Sequence, residues 1–560
     1  MSKFHKSLQY YLLVAVVGLT AAFIAIAFYT LYLGVWNFTK GTIDYSTLSI
    51  LPLSFLAIGV PYVLVKRFAT TKTTGSGTHA VLEAYHLTNG EVSLRDTVVK
   101  PTAAMLTLGL GGSAGPEGPS LLAGGGVGSA FSKYFRIKPE LRRKLFIAGA
   151  AAGLSATFRT PLAAILFALE IPYKNDIDRE TFIEASIASI PAYLLSITLL
   201  GSEPFFGEII YTLSPTLLEI GLSLLLGIIC GVYAVFFTKT FLWTKNVAVK
   251  VKRKIGNTGL AISAAIILSV CGTLSFYSIG VGLHFIHAII VEGTSFSITA
   301  TVMIVLFKTL ATSVTLNFGG SGGLFVPTMV VGAAIGYIFS VLFDANLAVT
   351  FIAVGMAALI SGTHKVLLMP VAFIVESLGG AFAIPALLAS GVSYVISGKH
   401  SFHSTQPRTK LKTEELALER FFLKGKKLIP EKLEQTKAVN VMTKEPVVLS
   451  QGITVKEATE IFEKTNLRVL PVVDDQARVV GVIHLEDLGY VDLRRQEMNL
   501  SETAMHNPTV INEEKSIDEV AQLMIDTQQD HVFVVNKQEK LVGVISGIDI
   551  VKKILELLST

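Results

Sequence analysis

Residues Gly111 to Phe131 read GGSAGPEGPSLLAGGGVGSAF, a stretch that sets one carboxylate, Glu117, between glycines in a long apolar context. A charged group at membrane depth persists where it faces a partner, a cavity or a pathway, so Glu117 reads as functional. Pro119 suits the first turn of a helix, which puts Glu117 at the amide-rich, positive end of the helix dipole, where anions bind. A second copy follows as GGSGGLFVPTMVVGAAIGYIF from Gly319 to Phe339. Without a gap, Gly111, Gly112, Ser113, Gly115, Pro119, Gly124, Gly128 and Phe131 recur as Gly319, Gly320, Ser321, Gly323, Pro327, Gly332, Gly336 and Phe339. Such repeats of Gly- and Pro-interrupted apolar segments point to a transport site near the bilayer midplane, built from the ends of broken helices. Glu117 in the first copy is Phe325 in the second, so one repeat supplies a charge and the other an apolar ring and backbone amides.

The bulk properties agree. The chain has 560 residues, of which 51% are hydrophobic and 16% charged, with mean hydropathy +0.58, so most of it dissolves in lipid and more than one domain is expected. A net charge of +5 gives no nucleic-acid signal. Basic residues crowd the start at Lys3 and Lys6, then Lys66 and Arg67, Lys133 to Lys144, and Lys239 to Lys254. The positive-inside tendency makes these cytoplasmic and inter-helical, while the acidic links Gly201 to Tyr211 and Phe276 to Phe296 lie outside. The first apolar run, Tyr10 to Leu33, is too long for a signal peptide and is expected to be retained. Cys230 and Cys271 each sit in an apolar run and read as small buried hydrophobes. Several later apolar runs fall short of the ~20 residues that span a bilayer, which predicts re-entrant or end-to-end helices.

GSGTH, Gly75 to His79, is a turn whose glycines let amides and the Ser76 hydroxyl approach a ligand closely, as in an anion-binding nest. Glu170 and Glu376 close two apolar runs, PLAAILFALE and LLMPVAFIVE, and read either as carboxylates reaching interfacial water or as proton relays.

GSGTH, GPEGP (Gly115 to Pro119), GLFVP (Gly323 to Pro327) and SGKHSF ending at Phe402 together resemble the CLC chloride channels and transporters. The resemblance implies an α-helical polytopic membrane fold with an inverted internal repeat, and a homodimer with one pore in each subunit. It implies that Ser76, Gly77, Gly118, Leu324, Phe325 and Phe402 surround the anion and that Glu117 is the gate. A carboxylate and a halide compete for the same helix N-termini because both are compact anions, and protonation ends that competition. Four positions depart from the family pattern: Thr78 and His79 replace the last two residues of GSGIP, Pro116 replaces a basic residue, and Phe402 stands where many members have a tyrosine hydroxyl. Ile171 occupies the position after Glu170 where proton-coupled members carry a second acid. Ile171 together with Phe402 leans the expectation toward passive, channel-like chloride passage. Chloride/proton exchange through Glu117 and Glu170 is the alternative, with fluoride export or CBS-linked cation transport further behind.

From Ser401 the composition turns charged, and 401–437 reads as a solvated linker with a short amphipathic helix. Two similar units of β-α-β-β-α kind follow and resemble a CBS pair, giving domains 1–400, 401–437, 438–496 and 497–560. That resemblance implies an adenine-nucleotide site (ATP, ADP or AMP), with Asp549, Ser546 and Asp487 as candidates. Asp487 and Asp549 could equally be plain N-caps. No HExxH, GxSxG or Walker A lysine motif is present, so the expectation is a non-enzyme with no required cofactor or metal. Its surroundings are expected to be lipid of the cell membrane, crossed many times, with the N-terminus and the CBS tail cytoplasmic.

Overall fold

The computed structural model describes residues 3–41, 47–137, 139–203, 205–206, 215–409, 413–488, 499, 505–527 and 529–559. It divides into two compact units, Met1–Lys410 and Leu411–Thr560.

The first unit is helical. Seven of its described helices are long and apolar enough to cross a membrane, among them Leu8–Lys40, Ile298–Asn317 and Phe325–Phe343. Pro161–Glu170 and Leu368–Leu378 are shorter apolar helices, as the run lengths predict. The repeat is physical. Helix Glu117–Tyr134 packs on Pro139–Phe158, and Phe325–Phe343 packs on Ala348–His364. A β-carbon on Gly124 would collide with the Gly149 carbonyl, and one on its repeat mate Gly332 with the Gly355 carbonyl. These glycines therefore serve close helix packing. Cross-repeat bonds hold the two halves together: the Ser113 amide donates to Thr315 Oγ1 at 3.1 Å, and the Ser321 amide donates to Thr107 Oγ1 at 3.1 Å. Cys230 and Cys271 are buried free thiols.

Several connecting stretches carry structure of their own. The basic stretch Lys239 to Lys254 is helical, lying inside Leu217–Leu274, and the interruption comes at Gly256 (φ 72°, ψ −173°). Lysine and arginine are good helix formers, whereas glycine alone tolerates that backbone. The link Phe276 to Phe296 contains a helix, Leu283–Ile290, while 207–211 of the other acidic link lie outside the described residues. Residues 401–409 belong to the first unit, where Gln406 Nε2 donates to the carbonyls of Ile171, Tyr173 and His364.

In the second unit, strands Leu449–Ser450, Val469–Val473 and Val479–His484 form one sheet, the first pair parallel and the second antiparallel. Val510–Asn512, His531–Val535 and Leu541–Ser546 repeat that arrangement. Thr443–Lys444, from the start of the first CBS unit, pairs antiparallel with Leu541–Ser546 of the second. The amphipathic helix Thr413–Leu428 is no solvated connector: Leu418 and Phe422 are buried in the core formed with Ile517, Val520 and Ile550. The expected boundary between the two CBS units, 496/497, lies outside the described residues.

Replacing Gly124 or Gly332 by leucine should cost about 1–3 kcal/mol or more of overpacking strain. Gly391→Ala, where a β-carbon meets nothing within 4 Å, should be neutral or mildly stabilising. Thermal unfolding in detergent, followed by size-exclusion fluorescence, checks both.

Candidate anion pathway

Three helix N-termini converge where the glycine motifs meet. Ser76, Pro116 and Leu324 immediately precede helices Gly77–Leu87, Glu117–Tyr134 and Phe325–Phe343. The motif loops are stitched edge to edge: Gly75 and Ser76 lie in parallel register with Ser321 and Gly322, and Gly115 and Gly323 exchange amide bonds of 3.0 and 2.7 Å. This contact requires glycine, since a side chain on Gly77 would run into the Gly118 backbone.

Glu117 is 1% exposed, and its Oε1 accepts the Phe325 amide at 2.6 Å. Its Oε2 has no hydrogen-bond partner among the described residues. The carboxylate of one repeat is thus seated on the helix N-terminus of the other. Amides freed at a helix start bind anions, and a carboxylate is one such anion.

A cavity of about 240 Å³ is lined by Ser76, Gly77, His79, Lys100, Lys245 and Phe402 among others. The Ser76 hydroxyl has no hydrogen-bond partner among the described residues, which leaves it able to donate to a ligand. The Phe402 ring is 1% exposed and packs edge-on against Phe237, Phe241 and His364 with centroids 5.0, 5.3 and 5.3 Å apart. Ser76, Gly77, Gly118, Leu324, Phe325 and Glu117 therefore share one neighbourhood, and Phe402 joins Ser76 and Gly77 around the cavity.

Glu170 serves a different end. Its carboxylate accepts the amides of Leu367, Leu368 and Met369 at 3.1, 2.8 and 2.9 Å and so caps helix Leu368–Leu378. Glu376, near the end of that helix, accepts the amides of Leu162 and Ala163, both at 2.9 Å, at the start of Pro161–Glu170. Each short helix is capped by the other's glutamate, so neither carboxylate reads as simply hydrated. Ile171 is fully buried. In the tail, Ser546 caps Gly547–Ser559, and its amide and hydroxyl donate to Asp549 at 2.9 and 2.6 Å. Asp549 is the reciprocal partner of that cap rather than the cap itself. The side chain of Asp487 lies outside the described residues.

The motif reading passed over the buried His364 and His403 and took His79 only as a departure from the family pattern. For His364 the available signal is a histidine closing an apolar run; His403 lies in a polar segment that gives none. No cluster of His, Cys, Asp and Glu suited to a metal is found among the described residues.

Opposed helix N-termini across an internal repeat, with a carboxylate seated between them, form a geometry suited to holding an anion inside a membrane. A family model described as "Voltage gated chloride channel" matches residues 55–398, and the CBS domain model matches 438–489 and 500–556. The chain belongs to the CLC family of chloride transport proteins, with a CBS pair attached. It is 29% identical over 399 residues to the H(+)/Cl(-) exchange transporter ClcA of Vibrio campbellii, covering 66% of this chain and 83% of that one. It is 28% identical to chloride channel protein CLC-f of Arabidopsis thaliana over 74% of this chain, spanning 58% of that protein's length. In fold it is similar to a slow cyanobacterial Cl-/H+ antiporter (TM-score 0.61, 20% identity, 69% of this chain and 94% of that one). A eukaryotic CLC transporter matches with TM-score 0.60 and 16% identity over 98% of this chain and 99% of that one.

Glu170→Gln keeps the shape but loses the charge-assisted caps. It should lower stability by about 1–3 kcal/mol. Unchanged unfolding in detergent would show that the caps carry no weight.

Proposed function

We propose that this chain conducts chloride through a pore in each subunit of a homodimer in the cell membrane, with the N-terminus and the CBS tail cytoplasmic and Glu117 as the gate. One observation carries the reading: Glu117 Oε1 sits on the Phe325 amide at 2.6 Å, so the gate occupies a donor that a halide would use. Protonation removes the charge by which the carboxylate competes, and the side chain then gives way to the anion.

Passage is passive and channel-like in this reading. Glu170 is committed to three helix amides, Ile171 is apolar, and Phe402 offers no hydroxyl to close the cavity end of the pathway. Exchange is the second reading, favoured by relatives named H(+)/Cl(-) exchange transporter. Reconstituted vesicles decide between them: an imposed chloride gradient should drive no uphill proton movement, and such movement would establish exchange. Glu117→Gln should raise chloride efflux at neutral pH above that of wild type at the same pH. Efflux from Glu117→Gln no faster than wild type at neutral pH would remove Glu117 from the gate.

For the tail we propose an adenine-nucleotide site that uses Ser546 and Asp549, with Asp487 as its counterpart in the first unit. Ser546 and Asp549 already satisfy each other, so binding must exchange a cap for a ribose contact. Titration calorimetry of the full-length protein with ATP, ADP and AMP should give heat that Asp549→Ala abolishes. No heat with any of the three leaves the tail as a docking module.

A further inference from the structure

Three histidines that the gate does not use converge beside Phe402. His79 lines the cavity, and its Nε2 lies 2.7 Å from the Phe402 carbonyl oxygen, so that nitrogen carries the proton of the neutral ring and Nδ1 keeps a lone pair. The His403 ring is 4.8 Å from His79, and the His364 ring is 5.3 Å from His403. His364 also reaches the Phe325 ring at 6.1 Å, and the Phe325 amide holds Glu117. His364 and His403 are 1% and 0% exposed. Neither ring nitrogen of His403, nor Nε2 of His364, has a hydrogen-bond partner among the described residues, while His364 Nδ1 lies 3.0 Å from Thr363 Oγ1. Packing alone accounts poorly for three unpartnered imidazole nitrogens gathered in one place, because each is costly to bury.

The charges around this triad are mostly positive. Lys245 faces His79 from helix Leu217–Leu274, and Lys174 faces His403 from the turn after Pro161–Glu170. Lys100 lines the cavity from Leu94–Gly109, and Glu83, on the helix of His79 itself, is the carboxylate among the lining residues. Lys365, next to His364, directs its ammonium to the Tyr394 carbonyl and Ser397 Oγ. A proton placed on the triad therefore finds its best counter-ion in an anion that enters the cavity. Proton and anion then favour each other's binding, and the coupling is reciprocal.

We infer that His79, His364 and His403 form a proton-binding site at the cavity end of the pathway, and that protonating it draws chloride in past Phe402. The inference rests on the reading of the cavity as a chloride entrance. It supplies positive charge where Phe402 supplies no hydroxyl, and it acts separately from Glu117.

The test uses full-length Glu117→Gln protein in chloride-loaded vesicles, where the gate no longer titrates. Burial and the facing lysines hold His79 and His403 below the ordinary imidazole range, His79 at about 4, so efflux should rise at least about threefold as the pH falls from about 7.5 to about 4. Adding His79→Gln or His403→Gln should cut that rise to less than half, with size-exclusion profile and thermal unfolding in detergent reporting that each variant is folded. A Glu117→Gln protein with no acid response overturns the inference without any histidine variant. An acid response that survives both histidine substitutions overturns it as well. Wild-type vesicles that release no chloride at any pH would defeat the transport reading first, and the role of the triad with it.

Discussion

A carboxylate from one repeat resting on the helix N-terminus of the other is the contact around which the membrane unit is arranged. Glu117 reaches the Phe325 amide because the motif loops interlock, through the exchanged amides of Gly115 and Gly323 and the parallel register of Gly75 and Ser76 with Ser321 and Gly322. The interlock in turn demands glycine at Gly77 and Gly118, where backbones touch. Desolvating an ion costs far more than any one of these contacts returns, so an anion site of the proposed kind needs its amides oriented before the ion arrives.

Much of this centre is legible in the sequence because its signals are local. A charge in an apolar run, a proline two residues later and a gap-free second copy single out Glu117 and Phe325, while Leu324 comes only with the family resemblance. Ser76 gains meaning only in the company of the other motifs, since a Gly/Ser turn by itself is ordinary. Short apolar runs such as Pro161–Glu170 were readable as helices too short to span.

What escaped the sequence depends on partners far along the chain. Glu170 is held by amides near residue 368 and Glu376 by amides near residue 162, so a carboxylate at the end of an apolar run gives no hint of its cap. The histidines at 79, 364 and 403 meet only in three dimensions. Helix Thr413–Leu428 looked like a connector because its charged face dominates its composition, yet Leu418 and Phe422 are enough to bind it into the second unit's core. A basic stretch marks a membrane boundary by charge, but it does not end a helix: Leu217–Leu274 runs through one until Gly256.

The mutual capping of Pro161–Glu170 and Leu368–Leu378 bears on how the protein moves. Five amides from two helices are locked to two carboxylates in a reciprocal clasp. Rocking one half of the membrane unit against the other, as many transporters do, would have to open that clasp in a medium with little water to replace it. The scaffold is braced against such motion at that clasp, which accords with the proposed gating by one acidic side chain rather than by movement of the halves.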